Sequence, residues 1–365
     1  MRVLVDAYWW ADGPPSGQMV LTNLVQGWST AFPDDELILA VPASVDSVDL
    51  DGVDEFEVVR TRGRMHPVIN AVELPILAKH YDIDAIFAQN FSPLFGRSAV
   101  FIHDVLFQSN PEWFTRGERL YLSLIPRLAR HATSIVTSSK TEARRIRRIN
   151  RRLQSVHAVG LSISEGLSSA SSAAPSGHGS VSRFVLTAGR INSRKNLVRT
   201  LVGALRSGAL SVDCPLLVVG EESGKTDAFG EDVATAVDQG LIKFLGYVSN
   251  DELRWLYEQC QFFCYLSLDE GFGLTPLEAT FFGAPCLVSD ISVFHENLNR
   301  PGVDFVDPYN VDDIAGAFRS LANRTRPTVE VSRRSGAAAI EPQTWGASAT
   351  AIRKSLVSSE LMEII

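Results

Sequence analysis

The feature that most restricts how this chain can fold is an alternation. Short apolar runs rich in β-branched residues recur along it, separated by stretches whose apolar residues return at helical spacing. Strands that alternate with helices assemble most simply into parallel sheets with helices on both faces. Two such sets are present. The first has strand-like runs at 2–7 (RVLVDA), 36–42 (ELILAVP), 56–61 (FEVVRT), 84–90 (DAIFAQN), 99–105 (AVFIHDV) and 134–139 (SIVTSS), with helical stretches near 17–30, 67–80, 117–131 and 140–153. The second has runs at 184–190 (FVLTAGR), 215–221 (PLLVVGE), 242–248 (IKFLGYV), 262–267 (FFCYLS) and 284–290 (APCLVSD), with helices near 195–207, 250–259 and 274–283. Between the sets, residues 167–182 (LSSASSAAPSGHGSVS) carry too little apolar surface to order themselves independently and read as a linker. A length of 365 residues suits two domains of ordinary size. The predicted organisation is α/β: doubly wound domains at 1–166 and 183–344, then a C-terminal helix at 345–365 that packs back across the first or second domain. Open sheets of this kind bind ligands beyond the carboxyl ends of their strands, so a cleft between the two is the expected place for chemistry.

Composition excludes several classes. With 45% hydrophobic and 21% charged residues, the chain is neither disordered nor coiled-coil in character. No run approaches the roughly 20 apolar residues that span a bilayer, and MRVLVDAYWW lacks the parts of a signal peptide, so a cytoplasmic location is expected. Cys214, Cys260, Cys264 and Cys286 show no zinc-ligand spacing and read as buried free thiols. A net charge of −8 argues against nucleic acid as a partner. That charge is unevenly spread. KTEARRIRRINRR, at 140–152, concentrates Arg144, Arg145, Arg147, Arg148, Arg151 and Arg152 on one predicted helix. Two readings stand side by side: a solvated face, or a docking surface for anionic lipid at about 1 kcal/mol per basic residue near the surface.

Several tempting motifs fail. GEESGKT at 220–226 has three residues where a P-loop needs four, and two of them are glutamates. No G-x-G-x-x-G follows the first strand of either set, which removes most support for a dinucleotide oxidoreductase. Asp49-Leu50-Asp51 and Asp82-Ile83-Asp84 have a spacing that can hold a divalent metal, but they lie in an acidic run and just before a strand, so no metal is expected. A nucleophile elbow G-x-S-x-G is absent.

The informative segment is LDEGFGLTPLEATFFGAP, at 268–285. Glu270 follows an apolar strand, Gly271 and Gly273 flank Phe272, and Glu278 falls eight positions after Glu270 within a helical pattern. A glycine-rich turn that enters a helix presents backbone N–H groups and the positive end of the helix dipole, which suits a diphosphate. Carboxylates on either side of that phosphate accept hydrogen bonds from hydroxyls, and sugars and riboses supply them.

The E-x7-E pattern EGFGLTPLE resembles the retaining glycosyltransferases of GT-B fold, in particular glycosyltransferase family four. FVLTAGRINSRKNL at 184–197 resembles the family's diphosphate-binding loop, with Arg190 and Lys195 at the cationic positions. FLGYVSNDELRWLYEQCQFFCYLSL at 244–268 is similar to the stretch before the acidic motif. FIHDVLFQSNPEWF at 101–114 resembles the segment that carries the active-site histidine, here His103. The resemblance implies two Rossmann-like domains facing a cleft, and transfer of a hexose from a nucleotide diphosphate sugar to an acceptor hydroxyl with the anomeric configuration kept. It implies no metal and no further cofactor: Arg190 and Lys195 stabilise the leaving diphosphate, Glu270 orients the donor sugar, Glu278 binds the ribose, and backbone N–H groups at Phe272, Gly273 and Leu274 meet the phosphates. His103 contacts the sugar near the reacting centre. The expected acceptor is a saccharide or lipid-linked saccharide of a bacterial surface polysaccharide or glycolipid, with mannose, rhamnose or glucose-type donors in view. A nucleotide-sugar-binding protein or an epimerase of the same fold is the alternative. The first loop departs from the family pattern: ADGPPSGQMV separates Gly13 and Gly17 by two prolines, and Gly17 is the better placed for close approach to the donor. Tyr8, Trp9 and Trp10 beside it either stack on a sugar ring or join the core.

Overall fold

The computed structural model describes residues 1–11, 13–45, 55–176, 181, 183–222, 224–326 and 343–357. The chain divides into two compact units. Unit 1 comprises Met1–Pro111, Thr115–Ser164 and Gln343–Ile365, and unit 2 comprises Glu112–Phe114 and Glu165–Pro342.

Unit 1 is built on seven strands, β1 (Arg2–Asp6), β2 (Glu36–Pro42), β3 (Glu57–Thr61), β4 (Ala85–Gln89), β5 (Ser98–Ile102), β6 (Ser134–Thr137) and β7 (Val156–Ala158), in the order β3-β2-β1-β4-β5-β6-β7. Every ladder in it is parallel. Strands β4 and β5 are buried along their whole length, as expected where helices cover both faces. The helix Pro15–Ala31 begins on a proline, whose missing N–H costs nothing at the first helical position. It buries Val20, Leu21, Leu24, Val25 and Trp28, the spacing of one helical face. Its Gly27 receives the C-terminal helix Trp345–Val357, because a Cβ there would lie 2.6 Å from the Trp345 backbone. Trp345 Nε1 donates to Ile163 O (2.7 Å), and Arg353 grips Asp35 at 2.6 and 3.0 Å. Burial works to raise the pKa of Asp35, but Arg353, the chain amino terminus and the Trp28 indole hold its carboxyl well below the usual range. The expected C-terminal helix therefore belongs to unit 1. Residues 358–365 of that prediction lie outside the described residues.

Unit 2 repeats the plan with β8 (Val185–Ala188), β9 (Leu216–Val219), β10 (Ile242–Gly246), β11 (Phe262–Tyr265), β12 (Cys286–Ser289) and β13 (Val303–Val306), again parallel, in the order β10-β9-β8-β11-β12-β13. Alternate residues feed two cores: Leu186, Leu217 and Phe263 on one face, Val185, Leu216 and Phe262 on the other. Strand β13 and the helix Val311–Ala322 escape the sequence pattern, since VDFV is short, partly exposed and interrupted by an acid.

The stretch read as a linker is anchored on unit 2 where it is described. Leu167 lies in its core, the Ser171 N–H donates to Asp251 Oδ1 (2.8 Å) and the Ser172 hydroxyl to Glu258 (2.9 Å). Residues 177–180 and 182 lie outside the described residues. In both units the strand order reverses beside the first strand, between β1 and β4 and between β8 and β11. These are the topological switch points at which open α/β sheets receive ligands.

Candidate functional site

At the switch point of unit 2, β8 ends on Gly189, whose φ of 139° suits only glycine. The chain leaves through Arg190 and Ile191 into a single 3-10 turn, Ser193–Lys195, whose start is capped by the Asn192 side chain accepting from the Lys195 N–H (3.2 Å). Asn196 then takes a left-handed conformation (φ 57°), its side chain donates to Pro308 O (2.8 Å), and the helix Leu197–Ser207 begins. This turn aims two cations at the residue that follows β11. Lys195 Nζ donates to Glu270 Oε1 (2.6 Å) and to the Tyr265 hydroxyl. Arg194 donates to Glu270 Oε2 and to Asp269 O (3.1 Å). Burial alone would raise the Glu270 pKa, but Arg194 and Lys195 hold it well below the carboxylate range, so this carboxylate is ionised. Burial pushes the Lys195 ammonium down to about 8 even with Glu270 beside it, and the positive charges of Arg194 and Arg190 push the same way. Arg190 is exposed and lines, with Gly189, Lys195, Val219 and Tyr265, a cavity of about 20 Å³.

The other half of the acidic motif lies beyond Glu270. Gly273 sits at φ 93°, and a Cβ there would approach the Phe294 ring to 2.6 Å, so both backbone and packing require glycine. It opens the helix Leu274–Phe281, whose first N–H groups have no partner within the helix. Phe272 is buried and its carbonyl accepts from Asn297 Nδ2 (2.8 Å), which fixes the turn. Glu278 projects from the same helix, and its Oε2 accepts from the Tyr257 hydroxyl at 3.2 Å. Here burial has no cation to oppose it, and the Glu278 pKa is pushed up to about 7.

The switch point of unit 1 is made of different material. His103 follows β5, and its Nε2 lies 2.7 Å from Gln89 Oε1 at the end of β4. Its backbone N–H donates to Asn90 Oδ1 (3.3 Å). Burial, helped by His66, pushes His103 down to about 4, so the imidazole is neutral at physiological pH. The Trp9 ring lies 5.5 Å from it. Below, a buried network holds the first loop: Asp6 at the end of β1 accepts from His66 (2.8 Å), Asn70 (2.6 Å) and the Gln89 N–H (3.0 Å). Tyr8 stacks flat on His66 at 4.2 Å, and Trp9 meets its edge at 5.3 Å. Gly17 is spent on this packing, since a Cβ would come 2.7 Å from the Trp9 ring, and Gly13 is pressed against the same indole. Trp10 is buried against Phe56 and belongs to the core, whereas Tyr8 and Trp9 are half-buried.

Residues 171–341 match the family described as glycosyl transferases group 1. That match falls within unit 2, and the chain has the GT-B fold. The crystal structure of Anabaena HepE in complex with UDP and glucose superposes with a TM-score of 0.69 at 17% identity, over 98% of this chain and 100% of that one. Among curated proteins, O-antigen chain mannosyltransferase B of Escherichia coli is 30% identical over 165 residues, 44% of this chain and 42% of that protein. O-antigen chain mannosyltransferase RfbU of Salmonella typhimurium is 46% identical over 101 residues, 27% of this chain and 28% of that protein. The matches span less than half the length of these two relatives.

Within unit 2 the structure brings Arg190, Lys195 and Glu270 to one switch point, with Phe272, Gly273 and Leu274 on the turn that follows and Glu278 one turn into its helix. Gly17 and His103 lie in unit 1. Sequence reasoning missed Arg194, Tyr265 and Tyr257, which hold the two glutamates, and the Asp6–His66–Asn70 network. Arg194 was detectable as the cation beside Lys195; Tyr257 and the members of the network are spread too widely to form a motif. The arginine helix, Lys140–Ile149, is less uniform than its sequence suggests. Arg145 is buried and paired with Glu142 (2.5 Å), and Arg147 donates to Val156 O (3.2 Å), while Arg144, Arg148, Arg151 and Arg152 are exposed. Of the two D-x-D patterns, 49–51 lies outside the described residues, and Asp84 accepts from the Arg2 N–H (2.7 Å) as part of the fold.

Proposed function

We propose that this protein is a retaining, metal-independent hexosyltransferase that moves mannose from a nucleotide diphosphate sugar, GDP-mannose foremost, to a saccharide acceptor in bacterial surface polysaccharide synthesis. One observation carries the reading: an ionised carboxylate, Glu270, clamped by Arg194 and Lys195 beside a glycine-led helix N-terminus, with Arg190 exposed at the same switch point. The relatives described as O-antigen mannosyltransferases support the sugar and the product class, and the neighbour bound to UDP and glucose supports a nucleotide sugar as donor.

In this reading the bond between the anomeric carbon and the diphosphate oxygen breaks as the acceptor oxygen bonds to the same face of that carbon, and the acceptor proton passes to the leaving phosphate. Arg190 and Lys195 hold the growing negative charge on the diphosphate, and preorganised cations in a partly dehydrated site are worth about 3 kcal/mol each to such a step. Glu270 accepts hydrogen bonds from the sugar hydroxyls, Glu278 from the ribose, and neutral His103 contacts the sugar without adding a charge. Work at an anionic membrane face on its cytoplasmic side belongs to the proposal, supported by the four exposed arginines at 144–152.

The test is a thermal-shift panel of UDP-, GDP-, dTDP- and ADP-sugars with EDTA present, followed by turnover of the best donor and NMR of the product's anomeric proton. A shift with one nucleotide that disappears in Arg190→Ala and Glu278→Ala, and a product with the donor's configuration, support the reading. Absence of any shift at millimolar ligand overturns it. An inverted product, or turnover that EDTA abolishes, overturns the mechanism.

A further inference from the structure

We infer that Gln89 is the positioning residue of the unit 1 site: its side-chain oxygen takes the Nε2–H of His103, which leaves Nδ1 as a bare acceptor for one hydroxyl of the transferred sugar. This role deepens what is proposed for His103, and it rests on the transferase reading only for the owner of the hydroxyl. Gln89 is the last residue of β4, and the ladder sets it opposite Phe101 on β5. His103 follows two residues after Phe101, and its Nε2 lies 2.7 Å from Gln89 Oε1. A neutral imidazole has one donor nitrogen and one acceptor nitrogen, and the partner of one decides the state of the other. An amide oxygen only accepts, so Nε2 carries the proton and Nδ1 carries a lone pair. Nδ1 has no hydrogen-bond partner among the described residues and, unlike Nδ1 of His66, is not sealed from the surface. The half-buried ring packs on Phe101, edge to face with centroids 4.8 Å apart, and on Trp9.

Gln89 can hold this alignment because its own backbone is fixed on both sides. Its N–H donates to Asp6 Oδ2 (3.0 Å), its carbonyl accepts from Asn70 Nδ2 (3.3 Å), and the residue is buried. Asn90, next in the chain, takes a left-handed conformation (φ 58°), donates its N–H to Phe101 O (2.8 Å) and accepts the His103 N–H on its side chain. Consecutive residues of one loop therefore grip the ring and the backbone of His103. The buried Asp6 network gains a use: it fixes the residue that fixes the histidine, as a precise site requires. The chemistry that follows is selective. An uncharged lone pair offers nothing to a phosphate oxygen and pairs with a hydroxyl, which donates. A sugar without that hydroxyl leaves Nδ1 unpaired in a partly dehydrated site, and an unmade hydrogen bond of this kind is what allows a site to reject a deoxy analogue.

The first measurement is the imidazole nitrogen NMR spectrum of the full chain at pH 7 with its seven histidines labelled with nitrogen-15, His103 being assigned by loss of its signals in His103→Ala. A proton on Nε2 and none on Nδ1 is expected; a protonated Nδ1 overturns the role of Gln89. No donor is present, so this result stands whether or not any sugar is turned over. Gln89→Met keeps the length of the side chain and gives up the acceptor. It is expected to bring the two tautomers into exchange and to lower kcat/KM about tenfold, with the melting temperature as control of the fold. Removal of one particular hydroxyl from the donor sugar, found with its monodeoxy forms, is expected to cost wild type about tenfold and Gln89→Met little. Gln89→Glu is the second variant. It keeps an acceptor on Nε2, but its charge raises the His103 pKa from about 4 by about one to three units, while the titratable groups beside it, His66 and the Asp6 paired with His66, are unchanged. Below the raised value Nδ1 is protonated, so the kcat/KM of this variant should fall relative to wild type as pH is lowered from about 7 to 5. Unchanged tautomer and kcat/KM in Gln89→Met, the same cost for every missing hydroxyl in both proteins, or a constant ratio of Gln89→Glu to wild type across that range each overturn it.

Discussion

The two switch points share a topology and differ in what they are made of. In unit 2 two cations, Arg194 and Lys195, clamp one ionised carboxylate, and the positive charge of Arg190 reaches Lys195 from the exposed side. In unit 1 the carboxylate Asp6 is held by an imidazole, an amide and a backbone N–H, and the histidine above it, His103, is kept neutral by burial. Burial works to raise the Asp6 pKa, yet those partners hold it below the usual range. In the proposed reading one sheet end meets an anion, the donor diphosphate, and the other uncharged, hydroxyl-bearing matter, so that the same loop positions on the same fold are filled according to the charge of what they meet.

The comparison breaks most sharply at Glu270. Glu270→Gln keeps the shape but removes the charge that Arg194 and Lys195 share, and is expected to lower kcat/KM for donor by two to three orders of magnitude, on the order of 3 to 4 kcal/mol. Steady-state kinetics with the donor found in the thermal-shift panel check this. A loss under tenfold would show that the carboxylate is only a structural clamp. Asp6→Asn is the matched change in unit 1. It breaks a buried pair and is expected to destabilise by about 3 kcal/mol, read by chemical denaturation, while donor affinity stays within about twofold. Equal loss of donor affinity in both variants would end the division of labour.

The same contrast explains what was legible in the sequence. The unit 2 site is assembled from two contiguous stretches, 189–196 and 265–278, because each βα loop returns its residues to the same strand end, so residue types and spacing expose it. Even there Arg194 was passed over, since two adjacent cations look interchangeable until the turn Ser193–Lys195 points both at Glu270. The unit 1 site draws on positions 6, 9, 66, 70, 89 and 103, one or two per loop, and nothing but folding brings them together. His103 was found by resemblance alone. Gly17 was legible as a close approach, but the partner that the structure supplies is the Trp9 ring. The parallel sheets were legible because buried strands are continuous apolar runs; β13 was not, being partly exposed at the sheet edge.

A smaller effect sharpens the electrostatic side. Lys195 in the ligand-free protein titrates near 8, so its positive charge is present below that pH and lost above it. If unit 2 binds donor through this charge, Kd measured by titration should be flat from pH 6 to 7.5 and then rise, about tenfold per unit above 8, until donor binding itself holds the proton. Lys195→Arg, which does not titrate in this range, should remove the dependence even if it binds more weakly. A pH dependence that persists in Lys195→Arg would move the titrating group elsewhere.

The smallest expected effect concerns the second carboxylate of unit 2, which by material resembles unit 1. Glu278 has a phenol for a partner and no cation, and burial pushes it up to about 7 from an ordinary value near 4.5. A folded-state pKa above the unfolded one means that the folded chain keeps a proton the unfolded chain releases, so this group stabilises below pH 4.5 and its contribution is lost as pH rises to 7. Glu278→Gln is permanently neutral and should escape that loss: equal to wild type near pH 4.5, and more stable by on the order of 1 kcal/mol, about 2 to 4 °C in melting temperature, at pH 7.5. The reason for keeping a destabilising acid at this position would then be its ligand. Hydroxyls of a bound ribose donate to the ionised form and pull its pKa back down, so the nucleotide should stabilise wild type by more than it stabilises Glu278→Gln. Equal ligand-induced shifts in the two proteins would assign Glu278 to the packing of Tyr257 alone, and leave the ribose to be held by another group.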